Sequence, residues 1–154
     1  VFSTLHTNDA ASAFTRLGDM GVEPFLVSST VEGIMAQRLV RRLCKHCRRA
    51  IDLEAARPKL AADLLPHLNE DTTIYEAVGC RECRSTGYSG RMGIYELLVV
   101  DDEIRNQANE RIPSNVLKRM AIDKGMTTLR QDGWNKVVQG VTTIDEVLRV
   151  TKED

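Results

Sequence analysis

The chain has 154 residues, of which 42% are hydrophobic and 28% charged, so it can form a packed core and does not have the composition of a disordered protein. Its 21 Lys and Arg residues against 22 Asp and Glu give a net charge of -1, which argues against a general nucleic-acid binder with a basic excess. No apolar run approaches the roughly 18 residues of a membrane span, and the first residues lack the basic segment of a signal peptide.

The chain opens on a segment that predicts a strand followed by a helix. Residues 1–5 are mostly β-branched or apolar, and an opening inside such a stretch indicates a piece of a longer protein. Asn8 or Asp9 is expected to cap the helix, because a side-chain oxygen there accepts hydrogen bonds from the free amides of the first turn. Glycine ends helices readily, so this helix should end near Gly18 or Gly21.

Pro24 is expected to begin a second helix, because a first helical turn tolerates its missing amide donor. The second helix and the residues after it are predicted to present one broad apolar face, formed by Phe25, Leu26, Val27, Val31, Ile34 and Met35. Two strands are expected, over 37–43 and 93–100, together with a helix around 59–68.

The carboxy-terminal region predicts four helices. Their expected caps, first residues or bounds are Asp101 or Asp102, Pro113, 128–139 and Thr143. The single tryptophan, Trp134, has helical spacing with Val137 and Val138 and is expected to be buried against the preceding helices. An anchor for a docking partner is the alternative.

Four cysteines form two C-x2-C pairs with 32 residues between them: Cys44, Cys47, Cys80 and Cys83. Each such turn directs two thiolates at one ion, so two turns complete the tetrahedral four-sulfur shell that zinc favours. We therefore predict a structural zinc site at these four residues, with free thiols and an iron–sulfur cluster as alternatives. His46 lies inside the first turn and is expected at the surface, since four cysteines already close the shell.

Six Lys or Arg residues lie between Arg38 and Arg49. Basic flanks of a zinc module can bind nucleic acid, but they also offset the charge of thiolates and form ordinary solvated surface. No aromatic residues are interleaved to stack bases, which favours the second interpretation. The residues expected to offset thiolate charge are Lys45, Arg48, Arg49, Arg81 and Arg84.

His6 lies between the predicted first strand and first helix. In open α/β sheets, ligands bind where strand ends meet helix amino termini, whose amides favour phosphate. His6 is therefore a candidate phosphate contact, and a structural histidine at a strand end is the alternative that this residue alone leaves open.

Several short motifs together resemble the bacterial type II/IV secretion ATPase superfamily. The stretch STLHTNDA at 3–10 looks like its histidine box, and MGVEPF at 20–25, AQRLVR at 36–41, the C-x2-C pairs and GYSGRMGIYE at 87–96 follow in the family's order. The resemblance covers nearly the whole chain. It is greatest to the carboxy-terminal part of GspE-type secretion ATPases, with PilB-type pilus assembly ATPases as the near alternative.

The resemblance implies an α/β fold in three parts. Residues 1–43 would be the carboxy-terminal part of a RecA-like ATPase core with the histidine box, and residues 44–90 an inserted tetra-cysteine zinc subdomain. Residues 91–154 would form a returning strand and a helical carboxy-terminal subdomain. His6 would contact or sense the γ-phosphate of ATP.

The resemblance also implies a hexameric motor that is cytoplasmic and peripheral on the bacterial inner membrane. Its partners would be the secretion platform components GspL and GspF, with no specific nucleic acid. The motor would hydrolyse ATP to assemble a pseudopilus that drives protein export.

The phosphate-binding G-x-x-x-x-G-K-[ST] loop of such motors is absent from the 154 residues, in which no Gly-Lys pair occurs. That loop, and the acidic strand end that holds Mg²⁺, are expected upstream of Val1. ATP and Mg²⁺ are thus expected only in a longer parent, and this chain should be inactive by itself, with no cofactor-binding residue of its own. A zinc-ribbon nucleic-acid adaptor and a purely structural interaction module are the alternatives from other classes.

Overall fold

The computed structural model describes residues 1–57 and 60–151, except for the side chains of Ala55 and Ala56, and has a mixed α/β composition. The helices are α1 (Ser12–Asp19), α2 (Pro24–Thr30), α3 (Leu53–Ala56), α4 (Asp102–Asn109), α5 (Ser114–Asp123), α6 (Leu129–Val138) and α7 (Ile144–Val150). The strands are β1 (Gly33–Leu43), β2 (Arg49–Ala50), β3 (Tyr75–Glu76) and β4 (Tyr88–Val99). Within the described residues, none of the helices has the length and apolar character needed to cross a bilayer.

Strands β1 and β4 form one two-stranded sheet, and β2 and β3 form another. The second pair is antiparallel, with Arg49 opposite Glu76 and Ala50 opposite Tyr75. The strands predicted over 37–43 and 93–100 are present, but β1 and β4 begin earlier than expected, at Gly33 and Tyr88.

The chain folds into two compact units, each made of two stretches of sequence. Unit 1 comprises Val1–Gln37 and Tyr95–Leu129, and unit 2 comprises Arg38–Ile94 and Arg130–Asp154. The expected domain boundaries of 1–43, 44–90 and 91–154 remain a prediction, since compact packing units and domains need not coincide.

Helices α1, α2, α4 and α5 pack against one another in unit 1. Helices α2 and α4 begin at the residues expected from the sequence. Pro24 occupies the first turn of α2, and at the start of α4 the Ile104 amide donates to Asp101 Oδ1 over 2.9 Å. The Asp9 carboxylate likewise accepts a hydrogen bond from the Ser12 amide, at 2.9 Å, where α1 begins. These contacts satisfy amides that lack partners inside their own helices.

Three sequence predictions are wrong. Residues 1–5 form no strand, because β-branched composition needs a neighbouring strand to complete a ladder and no described strand pairs with them. The apolar residues after Pro24 do not form one face, since α2 ends at Thr30 and Ile34 and Met35 belong to β1. In place of a helix around 59–68, a turn leads into a short 3₁₀ helix at Leu65–His67 that contains Pro66; Lys59 lies outside the described residues.

Unit 2 has its own apolar cluster, formed by Leu64, Ile74, Trp134, Val137 and Val147. Trp134 is fully buried, and its Nε1–H donates to Asp63 Oδ2 over 3.0 Å. Its predicted burial is confirmed, but none of the described residues of this cluster comes from α4 or α5, the two helices that precede α6. Two of its buried neighbours come from the segment between the cysteine pairs and one from α7, so α6 and α7 share a core with the cysteine region.

A buried carboxylate, Glu146, holds α7 against β1 in unit 2. The side chain is 1% exposed and accepts hydrogen bonds from the Arg41 guanidinium at 2.7 Å and from Arg149 at 2.8 and 2.9 Å. The Arg41 amide also donates to Glu146 Oε2 over 2.9 Å. Burial raises the pKa of the Glu146 carboxyl, but the hydrogen bonds from Arg149 and Arg41 outweigh it and lower that pKa from 4.5 to about 2.

This shift makes the stability of unit 2 sensitive to acid. Because the folded pKa of Glu146 is depressed, its contribution is complete above the unfolded pKa of 4.5 and is lost as the pH falls towards about 2. We expect Glu146→Gln to lower the free energy of unfolding near neutral pH by about 3 kcal/mol, and this difference from the wild type to shrink below pH 4.5. Urea unfolding followed by Trp134 fluorescence measures it; a difference that is the same in acid and at neutrality would contradict the assignment.

Candidate metal centre

The four cysteine sulfur atoms converge on one point in unit 2. They all lie within 4.8 Å of one another, with Sγ–Sγ distances of 3.9 Å for Cys44–Cys80, 3.8 Å for Cys47–Cys83 and 3.8 Å for Cys80–Cys83. A tetrahedron whose sulfur vertices are about 2.3 Å from a central zinc has edges of about 3.8 Å. The cluster could therefore hold one tetrahedral metal ion, and the residues are the four that the spacing predicts.

Backbone amides around the cluster point at the sulfur atoms. The Gly79 amide donates to Cys47 Sγ over 3.3 Å, and the amides of Cys80 and Gly87 both donate to Cys83 Sγ over 3.2 Å. Such donors stabilise negative charge on sulfur. This environment suits thiolates, which are the form that binds metal.

The surroundings of Cys47 and Cys83 shift the pKa values of the two thiols in opposite directions. Burial raises the pKa of the Cys83 thiol, but hydrogen bonds from the Cys80 and Gly87 amides outweigh it and hold that pKa at about 6. Burial, together with hydrogen bonding to the other thiols, raises the pKa of Cys47 to about 12. A bound cation would lower the raised pKa of Cys47, because a metal ion deprotonates the thiols that coordinate it.

Only glycine fits at position 87, because a side chain there would clash with a neighbour and the backbone is in a conformation that other residues rarely adopt. Its φ of 75° lies in the left-handed region, and a Cβ there would approach Ala77 Cβ to 2.7 Å. Besides its hydrogen bond to Cys83, its carbonyl accepts from the Cys44 amide at 2.9 Å. Gly87 thus links one cysteine of each pair through its own backbone.

The geometry argues against disulfide bonds and against an iron–sulfur cluster at the four cysteines. Sulfur separations near 3.8 Å are far longer than the roughly 2.05 Å of a disulfide bond, and all four cysteines are free. Convergence on one point suits a single ion better than an iron–sulfur cluster, whose cysteines ligate different iron atoms. His46 is exposed, as predicted, and is not part of the cluster.

Three residues of the basic stretch are engaged in contacts inside unit 2. Arg41 pairs with Glu146, Arg49 pairs with Glu76 at 2.6 Å, and Arg48 donates to the Gly140 carbonyl over 2.7 Å. The Arg48 guanidinium also lies 4.3 Å from the centre of the Tyr75 ring. These contacts give the charges a structural role, which favours ordinary surface over a nucleic-acid interface.

His6 lies in unit 1, in the exposed segment before α1. No described contact joins it to the cysteines, and its predicted role at a phosphate remains a prediction. Sequence reasoning missed a buried acid in the same unit, Glu96, because Tyr95, Leu97 and Val99 on the exposed face are apolar too, so the sequence does not show which face of β4 is buried. Ile94 and Leu98 are fully buried, so a glutamate between them shares their face and needs partners there.

Comparison with known proteins gives consistent matches over nearly the whole chain. The sequence model of the family described as "Type II/IV secretion system protein" matches residues 1–149. The chain is 48% identical over 155 residues to the type IV pilus assembly ATPase PilB of Thermus thermophilus. It is also 48% identical to the type II secretion system protein HxcR of Pseudomonas aeruginosa, over 153 residues, and to the type II secretion system protein E of Dickeya dadantii, over 157 residues.

These relatives are much longer than the chain. The matched regions cover 99% to 100% of the 154 residues, but only 17% of the Thermus protein, 28% of HxcR and 30% of the Dickeya protein.

Proposed function

Because this chain belongs to the type II/IV secretion system protein family, we propose that it is the carboxy-terminal part of an ATPase motor that powers type II protein secretion. The match of the family over residues 1–149 carries this proposal. In the proposed parent, ATP hydrolysis drives assembly of a pseudopilus. The ATP and Mg²⁺ sites lie in the part of the parent that this chain does not include.

The four-cysteine cluster serves this motor as a structural zinc site. Cys44, Cys47, Cys80 and Cys83 would supply a complete shell of four sulfur ligands, which leaves no open position for a substrate. The sulfur separations near 3.8 Å and the three amide donors support this assignment. Bound zinc would stabilise the fold of unit 2 rather than take part in hydrolysis.

In the proposed motor, residues 1–43 are the carboxy-terminal part of a RecA-like ATPase core. The proposed motor is a hexamer on the cytoplasmic face of the inner membrane, with GspL and GspF as its platform partners. His6 lies just before α1 with an exposed side chain, so an incoming phosphate could reach it. Its imidazole would donate a hydrogen bond to the γ-phosphate. The phosphate-binding loop of the longer parent would supply most of the affinity for nucleotide.

A type IV pilus motor is the second candidate, favoured by the 48% identity to the pilus assembly ATPase of Thermus thermophilus. The two candidates differ in the phenotype that a loss of the gene causes. Restoring the full-length gene to a deletion strain should recover export of secreted enzymes if the first is right. Recovery of pili with no change in export would replace the first proposal with the second.

Replacing His6 in the full-length protein should lower ATP turnover far more than ATP affinity. A residue that contacts the transferred phosphoryl group acts on kcat, whereas the phosphate loop sets most of the binding. We expect His6→Ala to reduce kcat by about tenfold or more, with KM within about twofold, when rates are compared on equal folded fractions. His46→Ala, at another exposed histidine, is the matched control and should leave both unchanged.

Equal turnover of the wild type and His6→Ala would refute the role of His6 while leaving the family membership intact. The 154-residue chain alone should hydrolyse no ATP above background, because it has no phosphate loop. Phosphate release assays on this chain, with full-length protein as the positive control, test that expectation. Hydrolysis by the isolated chain would mean that the nucleotide site has been assigned to the wrong region.

A further inference from the structure

Glu96 forms an unusual pair of hydrogen bonds inside unit 1. Its side chain is 1% exposed on β4. Oε1 accepts from the amide of Ala10 over 3.0 Å, and Oε2 accepts from the amide of Leu129 over 3.2 Å. The two amides are 119 positions apart in the sequence, so one carboxylate joins the segment before α1 to the first residue of α6.

Only a carboxylate can accept both hydrogen bonds at this position. Both contacting groups are N–H donors, and the two oxygens of Glu96 accept one bond each. A glutamine would keep one acceptor and place its NH₂ group against the other amide. Ala10 is fully buried, so its amide would lose a partner in a place that water does not reach.

The residues around Ala10 form a braced turn, which we define as residues 7–12. Thr7 Oγ1 donates to the Asp9 carbonyl over 3.0 Å, and Asp9 Oδ1 accepts from the Ser12 amide over 2.9 Å. Asp9 Oδ2 lies 2.8 Å from Lys118 Nζ on α5. The braced turn is thus attached to β4 by Glu96 and to α5 by Lys118.

His6 is the residue immediately before the braced turn, and its own side chain is exposed. We infer that Glu96 is a positioning residue for His6: it holds the braced turn so that the imidazole is presented from a fixed backbone. This inference rests on the proposed function, in which His6 meets the γ-phosphate. Glu96 itself touches no nucleotide, and its effect on turnover is transmitted through the Ala10 amide.

Two measurements test the inference separately from the proposed function. The first is amide hydrogen exchange of this 154-residue chain by NMR. Glu96→Gln should speed exchange on the order of tenfold or more at Ala10, Ser12 and Leu129, and leave the amides in the middle of α5 unchanged. Glu146→Gln is the matched control, because it alters an equally buried glutamate of unit 2; it should leave Ala10 and Ser12 protected.

The second measurement is steady-state ATP turnover of the full-length protein at equal folded fractions. Glu96→Gln should lower kcat about tenfold with KM for ATP within about twofold, as expected for His6→Ala. The double variant His6→Ala with Glu96→Gln should be no slower than His6→Ala alone, because residues that act through one another are not additive. A merely structural glutamate would lower the folded fraction and not kcat per folded molecule.

Unchanged exchange at Ala10 and Ser12 in Glu96→Gln would overturn the positioning role, whatever the turnover. Faster exchange with normal kcat, where His6→Ala is slow, would overturn it as well. Normal kcat in His6→Ala would instead overturn the proposed role of His6, and with it the positioning of that residue. Faster exchange, lowered kcat and a non-additive double variant together would support the inference.

Discussion

Cys80→Ser should release the metal and unfold unit 2. One lost thiolate opens the proposed four-sulfur shell, and structural zinc contributes about 10–16 kcal/mol in small zinc-finger peptides, as much as the whole stability of a typical domain. The effect should extend beyond the cysteine region, since Leu64 and Ile74 share one buried cluster with Trp134 and Val147. We therefore expect α6 and α7 to lose exchange protection along with residues 44–90, while α4 and α5 of unit 1 keep theirs.

Elemental analysis and amide exchange measure this outcome. The wild type, prepared with reduced thiols, should carry about one zinc per chain, and Cys80→Ser should carry none. Glu82→Ser is the control, because it places a serine in the same turn at an exposed position. Fewer than about half an equivalent of zinc in the wild type would refute the zinc assignment. Full protection of α6 and α7 in Cys80→Ser would show that unit 2 does not need the metal to fold.

Trp134→Ala should destabilise unit 2 by roughly 3–5 kcal/mol, the usual cost of truncating a buried tryptophan. The ring is fully buried in the apolar cluster of unit 2, so its removal leaves a cavity that Val137 and Val147 cannot fill without moving. The Nε1–H bond to Asp63 is lost as well. The expected loss is a large fraction of the stability of a small folded unit.

Urea unfolding followed by far-ultraviolet circular dichroism measures the change, since the variant has no tryptophan to report fluorescence. Trp134→Phe keeps an aromatic ring in the cluster and removes the donor to Asp63 together with only part of the buried ring volume, so it should cost much less than Trp134→Ala. If Trp134→Ala kept wild-type stability while a partner bound more weakly, Trp134 would be a docking anchor and not a core residue.

The parts of the candidate site that could be predicted are those that depend on local spacing. A C-x2-C turn brings its own two sulfur atoms together, so Cys44, Cys47, Cys80 and Cys83 could be named without a fold. The backbone donors could not be named in the same way. That the Gly87 amide reaches Cys83 depends on a left-handed turn at a close approach to Ala77, which no spacing rule contains.

Long-range partners explain most of what was missed or misplaced. Helical spacing correctly indicated that Trp134 is buried, but not that Leu64 and Ile74 would cover it, because that depends on how distant segments meet. The burial of Glu96 could not be predicted, because the apolar residues of β4 lie on both faces of the strand and its partner at Ala10 is 86 residues away. The strand prediction for residues 1–5 was wrong because it rested on composition alone. Their residues favour a strand, but a strand also needs a neighbouring strand to pair with.

The two units are interleaved along the chain, which crosses between them after Gln37, after Ile94 and after Leu129. No single cut therefore separates them, and neither can be excised as one continuous segment. Exchange of unit 2 between two relatives would have to transfer residues 38–94 and 130–154 together, leaving 95–129 in place. A chimera that swaps only the cysteine segment would combine Leu64 and Ile74 of one protein with Trp134 of another. Recombination within this family should thus be tolerated only where both stretches come from the same parent.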